Sequence, residues 1–183
     1  MNRLTFLKKA VGATLLPATT FAASTPSLAV EAKRIRQELL DAWHMSEKMT
    51  LITASQMPGE SFNFRYTAEA MTFGDQWRHC CQFTISQLTD RLGVADPYED
   101  HKLPDVMTKA QVIAELKAMY AFVRQTIEAV PDAKLFESED YLGGTIPIWR
   151  LLYALENHII HHRGQCMVYL RLQGVTPEGY LGW

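Results

Sequence analysis

Apolar side chains recur every three or four residues in four long stretches of the chain, a spacing typical of helices with one buried face. These stretches run over about 30–56, 72–92, 108–130 and 147–173. The pattern is most regular in the third stretch, where the apolar positions are Val112, Leu116, Met119, Tyr120, Val123 and Ile127. The pattern therefore predicts four helices.

Residues that favour helix ends flank these stretches. Thr72 and Thr108 are suitable N-caps for the second and third helices. Pro147 is tolerated in the first turn of the fourth helix. Gly93 and Gly174 follow the second and fourth helices, as expected where a helix stops.

Two longer loops, 94–107 and 132–146, separate the last three helices, and Gly143-Gly144 marks a turn in the second loop. No long segment alternates between apolar and polar residues with period two. The sequence therefore predicts an all-α fold, an antiparallel four-helix bundle whose long loops leave room for a non-simple connectivity. We expect the most extensive apolar contacts between the second and fourth helices.

The start of the chain has a different character. Its first nine residues carry three basic side chains and no acidic one, and an apolar run rich in small residues follows over 10–23. Ser27-Leu28-Ala29 fits a small-x-small cleavage site. We predict an export signal over 1–29, with a cut after Ala23 as the alternative, and one domain over 30–183 in an exported, periplasmic protein. The apolar run is too short and broken for a permanent membrane span.

Composition narrows the function classes only slightly. The chain is 48% apolar and 21% charged, which suits a globular domain with a sizeable core. The net charge is -2 and no basic stripe stands out, so nucleic acid is not an expected partner. Cys80, Cys81 and Cys166 lack the CxxC spacing of thiolate metal sites, and we interpret them as small core residues.

The most informative string is His158-Ile-Ile-His161-His162 in the fourth helix. Residues four apart lie one turn apart on the same helix face. At 100° per residue, His162 lies about 40° from His158, on the side of Leu155 and Tyr169, and His161 lies about 60° the other way. His158 and His162 can thus present two imidazoles to one metal ion. The alternative is a buried histidine pair with hydrogen-bond partners elsewhere.

A stable metal site needs at least one further protein ligand. The other histidines are His44, His79 and His101. His101 lies in an acidic loop and is expected to be solvated. Periodicity leaves His79 undecided, because its helix face carries Phe83 but also Ser86.

Three motifs resemble the DinB-like family of bacterial proteins, and they occur in the family's order. The resemblance covers most of the chain after residue 35. It implies a four-helix bundle in which a divalent metal is held by one histidine of the second helix and two of the fourth, here His79, His158 and His162. The motifs are Pro58–Arg65, Ala70–His79 and His158–Gln165, the last followed by Tyr169–Gly174.

Three neutral nitrogen ligands leave a coordination position for water or substrate, as catalytic metal sites do. We favour Zn, and Ni, Fe or Cu also suit imidazole ligands. Metal affinity is expected to fall below about pH 6, because only neutral imidazoles bind metal. The resemblance implies a metal-dependent hydrolase or thiol S-transferase acting on a small molecule, with a thiol as candidate substrate. The alternative is a non-catalytic metal-binding or stress-related bundle.

Each ligand imidazole should donate its second N–H to an acceptor. Asp75, Glu156, Asn157 and Gln165 are the candidates nearby in the sequence.

Two features concern the outer side of the fourth helix. Trp149, Ile160 and Met167 form an apolar strip there, a candidate contact for a homodimer. Arg163 is predicted to project away from the core, towards solvent or surface acids.

Overall fold

The four predicted helices are present in a computed structural model that describes residues 27–100, 102–179 and 181. Each helix begins and ends within two residues of its predicted bounds. The predicted all-α four-helix fold is therefore confirmed. The helices are α1 (Leu28–Gln56), α2 (Phe73–Leu92), α3 (Lys109–Ala129) and α4 (Ile148–Leu172).

Side-chain caps define the helix ends. Thr72 accepts a hydrogen bond from the backbone N–H of Asp75, and the Asp75 carboxylate accepts one from the N–H of Thr72. Thr108 and Gln111 form the same reciprocal cap at the start of α3. Gly93 ends α2 with φ +63°, a left-handed conformation that favours glycine. These local signals explain why the sequence predicted the bounds well.

The predicted export signal lies almost entirely outside the described residues, since 1–26 are not among them. α1 begins directly after Ser27, whose hydroxyl accepts a hydrogen bond from the N–H of Val30 at 3.4 Å. The candidate cut after Ala29 falls in the first turn of α1, whereas the cut after Ala23 precedes the helix in the chain. Export and the domain boundary stay predictions. Among the described helices, none has the length and apolarity needed to cross a bilayer.

Both α1 and α2 pack beside α3 and α4, so the diagonal pairs are α1 with α2 and α3 with α4. α1 and α3 are antiparallel, since Lys109 at the start of α3 donates to the carbonyls of Ser55 and Met57 at the end of α1. α2 and α4 are also antiparallel. α1 runs in the direction of α4, and α2 in that of α3. The long loops thus produce the non-simple connectivity that their length allowed.

One continuous apolar core fills the bundle, and the three free cysteines are buried in it as predicted. The α2–α4 contact is the least extensive of the four neighbouring helix pairs. Our expectation that these helices share the most extensive apolar contacts was therefore wrong. Three histidines, two of them only half-buried, occupy part of the groove between these two helices. The largest fully buried side chains are Trp43, Trp77, Tyr120, Tyr169, Phe62 and Phe73.

A short hairpin precedes α4 where the sequence predicted only a loop with a turn. Strand β1 (Ser138–Tyr141) pairs antiparallel with β2 (Gly144–Pro147). Leu142 (φ +47°) and Gly143 (φ +83°) form the two-residue turn, and left-handed backbone at both positions suits the twist of a hairpin. Four residues per strand are too few for a period-two pattern to be recognised.

The outer face of α4 differs in detail from the predicted strip. Ile160 is exposed as predicted, but Trp149 and Met167 are half-buried against the core. Val168 and Leu172 are the other exposed apolar side chains of the helix. Whether this face forms a dimer contact stays a prediction.

Candidate metal centre

The groove between α2 and α4 contains a cluster of three histidines. His158 and His162 lie one turn apart on α4, and the antiparallel α2 places His79 opposite them. Their candidate ligand atoms all lie within 4.8 Å of one another. The structure thus brings together the pair indicated by helix spacing and the histidine supplied by the family resemblance.

The imidazole nitrogens that face one another are all Nε2 atoms. Nε2 of His158 lies 3.2 Å from Nε2 of His79 and 3.1 Å from Nε2 of His162. A zinc ion bonds imidazole nitrogen at about 2.0–2.1 Å, so two nitrogens of a tetrahedral site stand roughly 3.3 Å apart. The two separations therefore fit a small divalent ion.

The hydrogen bonds around the cluster indicate which ring nitrogens carry hydrogen. Nδ1 of His162 lies 2.5 Å from Oε1 of Gln76, and a carbonyl oxygen only accepts, so this nitrogen carries the hydrogen. Nε2 of His162 then presents a lone pair to His158. Nδ1 of His158 is buried and has no hydrogen-bond partner among the described residues, whichever tautomer that ring adopts. A cation bound at the three Nε2 atoms would require Nδ1–H on each ring, and that of His158 would have no acceptor among the described residues.

The three histidines differ in their exposure to solvent. His162 is buried, with 7% of its surface exposed, whereas His79 and His158 are only half-buried. Phe83 forms an apolar wall, with its ring centroid 4.3 Å from that of His158 and 5.8 Å from that of His79. Two of the three rings are thus partly exposed to solvent.

The electrostatics of the cluster favour neutral imidazoles. Burial, reinforced by the neighbouring imidazoles, lowers the pKa of both His158 and His162 to about 4. Burial also lowers the pKa of His79. All three rings are thus neutral near pH 7, which is the form that binds metal.

The four acceptors suggested by the sequence do not contact the ligand imidazoles. Asp75 belongs to the cap of α2, and Asn157 is exposed. Glu156 is buried, but its polar surroundings are on the α1 side of the helix. Gln165 donates to Nε2 of the neighbouring His161 at 2.8 Å.

The acceptor that sequence reasoning missed is Gln76, three residues before His79 on α2. A separation of three residues places two side chains on the same helix face, so this spacing could have identified it. Nε2 of Gln76 lies 3.4 Å from the hydroxyl of Tyr169 and 3.5 Å from Oε1 of Gln165. Gln76 is thus linked to α4 at three points.

The remaining histidines lie apart from the cluster's nitrogen atoms or outside the described residues. His161 is exposed on the flank of α4, as its helical position predicted. His44 is exposed on α1. His101 is not among the described residues.

Arg163 contradicts its prediction, because it is buried. Its guanidinium donates to the carbonyl of Ser46 and the hydroxyl of Thr50, each at 3.3 Å. The hydroxyl of Tyr120 completes the cluster, 2.9 Å from that of Thr50. Arg163 lies about 140° around the helix from His158, and this side of α4 packs against α1. A helix with two neighbours buries more than one stripe, and our prediction neglected the second.

Comparison with known proteins agrees with this architecture. Residues 28–181 match the sequence profile of the DinB family. The chain is 30% identical over 146 residues to YrdA of Bacillus subtilis (strain 168), an uncharacterized protein; this match covers 78% of the chain and 86% of YrdA.

Two crystal structures share the fold. A DinB-like protein of Bacillus subtilis, YjoA, superposes with a TM-score of 0.63 at 17% identity, over 78% of this chain and 96% of that one. A DinB-like protein of Bacillus cereus ATCC 10987 superposes with a TM-score of 0.66 at 21% identity, over 79% and 96%. From the match to the family profile over most of its length, the chain belongs to the DinB family.

Proposed function

We propose that the protein binds one divalent metal ion, preferably Zn, through Nε2 of His79, His158 and His162. The observation that carries the proposal is the convergence of three neutral imidazoles with Nε2 separations of 3.1 and 3.2 Å. Imidazole also binds Ni, Fe and Cu, so metal supply contributes to the choice.

We further propose that this centre is catalytic, in a metal-dependent hydrolase or thiol S-transferase that acts on a small molecule. Among the described residues, no fourth histidine, cysteine or carboxylate joins the cluster, which leaves a coordination position for water or substrate. A bound metal would activate water or polarise a substrate thiol or carbonyl. A substrate would reach this position past the half-exposed rings of His79 and His158, beside Phe83.

The chain's own cysteines do not suit the role of reacting thiol. Cys80, Cys81 and Cys166 are buried, and burial raises the pKa of each thiol. The thiolate is the reactive form, so these groups are expected to be inert. If the reaction involves a thiol, the substrate must supply it.

One observation favours a second function, a structural metal in a non-catalytic, stress-related bundle. The histidines join α2 to α4, the helix pair with the least extensive packing. A metal there would add a link between α2 and α4, the neighbouring helix pair with the least extensive packing.

Substitution with Co²⁺ distinguishes a catalytic from a structural metal, because the visible spectrum of the bound ion depends on its ligands. The Co²⁺ protein is titrated with 2-mercaptoethanol, and an open position predicts a new sulfur-to-cobalt band. A Phe83→Trp variant, which enlarges the apolar wall, should weaken this binding, whereas Trp149→Phe on the far side of α4 should not. A spectrum unchanged by thiol would favour the structural metal.

We also propose that the protein is exported, on the basis of the charged, apolar and small-residue order of residues 1–29. Mass spectrometry of the protein from its native host should find a chain beginning near Ser24 or Val30. Recovery of a cytosolic chain that begins at Met1 would contradict export.

A further inference from the structure

The three ligand imidazoles differ in what holds their second nitrogen. Nδ1 of His162 has a partner, Oε1 of Gln76 at 2.5 Å. Nδ1 of His158 is buried without a hydrogen bond to a described residue. The rings of His158 and His79 instead pack against Phe83. The orientation of His162 is therefore fixed by hydrogen bonding, and the other two rings are oriented by packing.

The amide of Gln76 is itself held in one orientation. Its side chain is buried, and its Nε2 faces the hydroxyl oxygen of Tyr169 and Oε1 of Gln165. The Tyr169 hydroxyl donates its hydrogen to the carbonyl of Met71 at 2.6 Å, so its oxygen is left to accept. A flipped amide would turn its oxygen towards two acceptors. Oε1 of Gln76 must therefore point at His162.

We propose that Gln76 is a positioning residue that keeps His162 in the Nδ1–H tautomer, with Nε2 free to bind metal. The inference rests on the proposed function, metal binding by the three histidines. His162 would be the preset ligand, because it is the most buried of the three and the one with a fixed tautomer. Tyr169 supports Gln76 from behind and has a positioning role one step further from the metal.

Two consequences follow for metal binding. Without the acceptor, the His162 ring can place a hydrogen on Nε2, where the metal would bind, and this hydrogen must move before ligation. An accepted hydrogen bond also makes the ligating nitrogen more basic. Loss of such an acceptor commonly costs about 10- to 100-fold in metal affinity.

The test compares Gln76→Leu, which removes the acceptor at similar size, with Gln76→Glu, which restores one. Gln82→Leu is the matched control, since Gln82 is half-buried on the same helix but lines a surface depression beside Arg78 and Tyr98. Zn²⁺ affinity is measured by competition with a chelator. The tautomer of His162 is read from ¹⁵N–¹H spectra of the imidazoles in metal-free protein at pH 8.

We expect the wild-type His162 to be the Nδ1–H tautomer, and Gln76→Leu to lose this preference and about 10- to 100-fold in affinity. Gln76→Glu should recover both properties, with the Tyr169 hydroxyl turned to donate to the second carboxylate oxygen. Gln82→Leu should change neither property. If Gln76→Leu does not fold, Tyr169→Phe takes its place, with an expected loss of affinity below about tenfold, because Tyr169 acts one step further from the metal. Unchanged tautomer and affinity in the folded variant would overturn the inference. A wild-type protein that binds no Zn²⁺ yet shows the tautomer would instead refute the metal proposal alone.

Discussion

Two polar clusters lie on different sides of α4, about 100° apart around the helix, and consecutive residues lead into them. His162 enters the histidine cluster in the α2–α4 groove, and Arg163 enters a cluster with Ser46, Thr50 and Tyr120 between α1, α3 and α4. Both side chains are 7% exposed. In the arginine cluster, hydrogen-bond donors lie against oxygen acceptors. In the histidine cluster, imidazole nitrogens lie against imidazole nitrogens. The hydrogen-bonded arginine cluster therefore suits a structural role, whereas the histidine cluster leaves Nδ1 of His158 without a partner among the described residues.

The two clusters also differ in the charge of their side chains. The three imidazoles are neutral near pH 7, because burial lowers their pKa values. The Arg163 guanidinium lies among carbonyl and hydroxyl oxygens, with no carboxylate at ion-pair distance among the described residues. Glu156 is the nearby acid; burial raises its pKa, while a hydrogen bond from Ser46 and the charge of Arg163 act in the opposite direction. The arginine cluster should therefore matter for stability and the histidine cluster for metal.

The largest effect on stability is expected from Arg163→Ala. The substitution removes the buried guanidinium that donates hydrogen bonds to Ser46 and Thr50, and it leaves a cavity. Together these changes should lower the unfolding free energy by about 2–4 kcal/mol. Arg163→Met keeps the aliphatic packing and should cost less. Urea unfolding of the metal-free variants measures both losses of stability. The zinc content of the same variants after loading with zinc is the control. Loss of metal at unchanged stability would reverse the roles assigned to the two clusters.

Zinc should stabilise the wild-type protein strongly. A ligand at about 100 times its dissociation constant adds about 2.7 kcal/mol when it binds the folded state alone. The same urea titration with Zn²⁺ should show this gain in wild type and in Arg163→Met, but not in His162→Ala. An equal gain in His162→Ala would show that zinc acts elsewhere.

A smaller effect is expected from Tyr120→Phe, which removes one hydroxyl from the arginine cluster. Its hydrogen bonds to Ser46 at 3.2 Å and Thr50 at 2.9 Å would be lost, at a cost of about 1 kcal/mol. Zinc affinity should not change. Thermal unfolding and chelator competition test the two halves of this prediction, and a tenfold weaker zinc affinity would indicate that the clusters are coupled.

The smallest effect is expected from lowering the pH, because His79 and His158 are half-exposed and solvent screens their charges. The pKa of His158 and His162 is about 4 when folded and near 6.5 when unfolded. The unfolded chain therefore binds more protons between these values, and metal-free stability should fall as pH drops from about 6.5 to 4. The expected metal loss also moves below the pH of 6 that unperturbed histidines suggested. Thermal unfolding against pH should be less steep in His158→Gln; equal slopes would contradict this cause.

The sequence predicted the features that depend on one helix at a time. Helix bounds followed from caps such as Thr72 and Thr108, and the His158–His162 pair followed from four-residue spacing. Features that depend on neighbouring helices were harder. The place of His79 came from family resemblance, because periodicity could not tell which face of α2 meets α4. Arg163 was misassigned for the same reason, since α4 is buried on two sides.

The most direct test of the account is the zinc content of the wild-type protein and its single histidine variants. Each is dialysed against a weak chelator and analysed for zinc. We predict one zinc per wild-type chain and an occupancy at least about tenfold lower in His79→Ala, His158→Ala and His162→Ala. His161→Ala and His44→Ala should keep their metal. Full zinc content in His79→Ala, or loss in His161→Ala but not in His162→Ala, would contradict the proposed site.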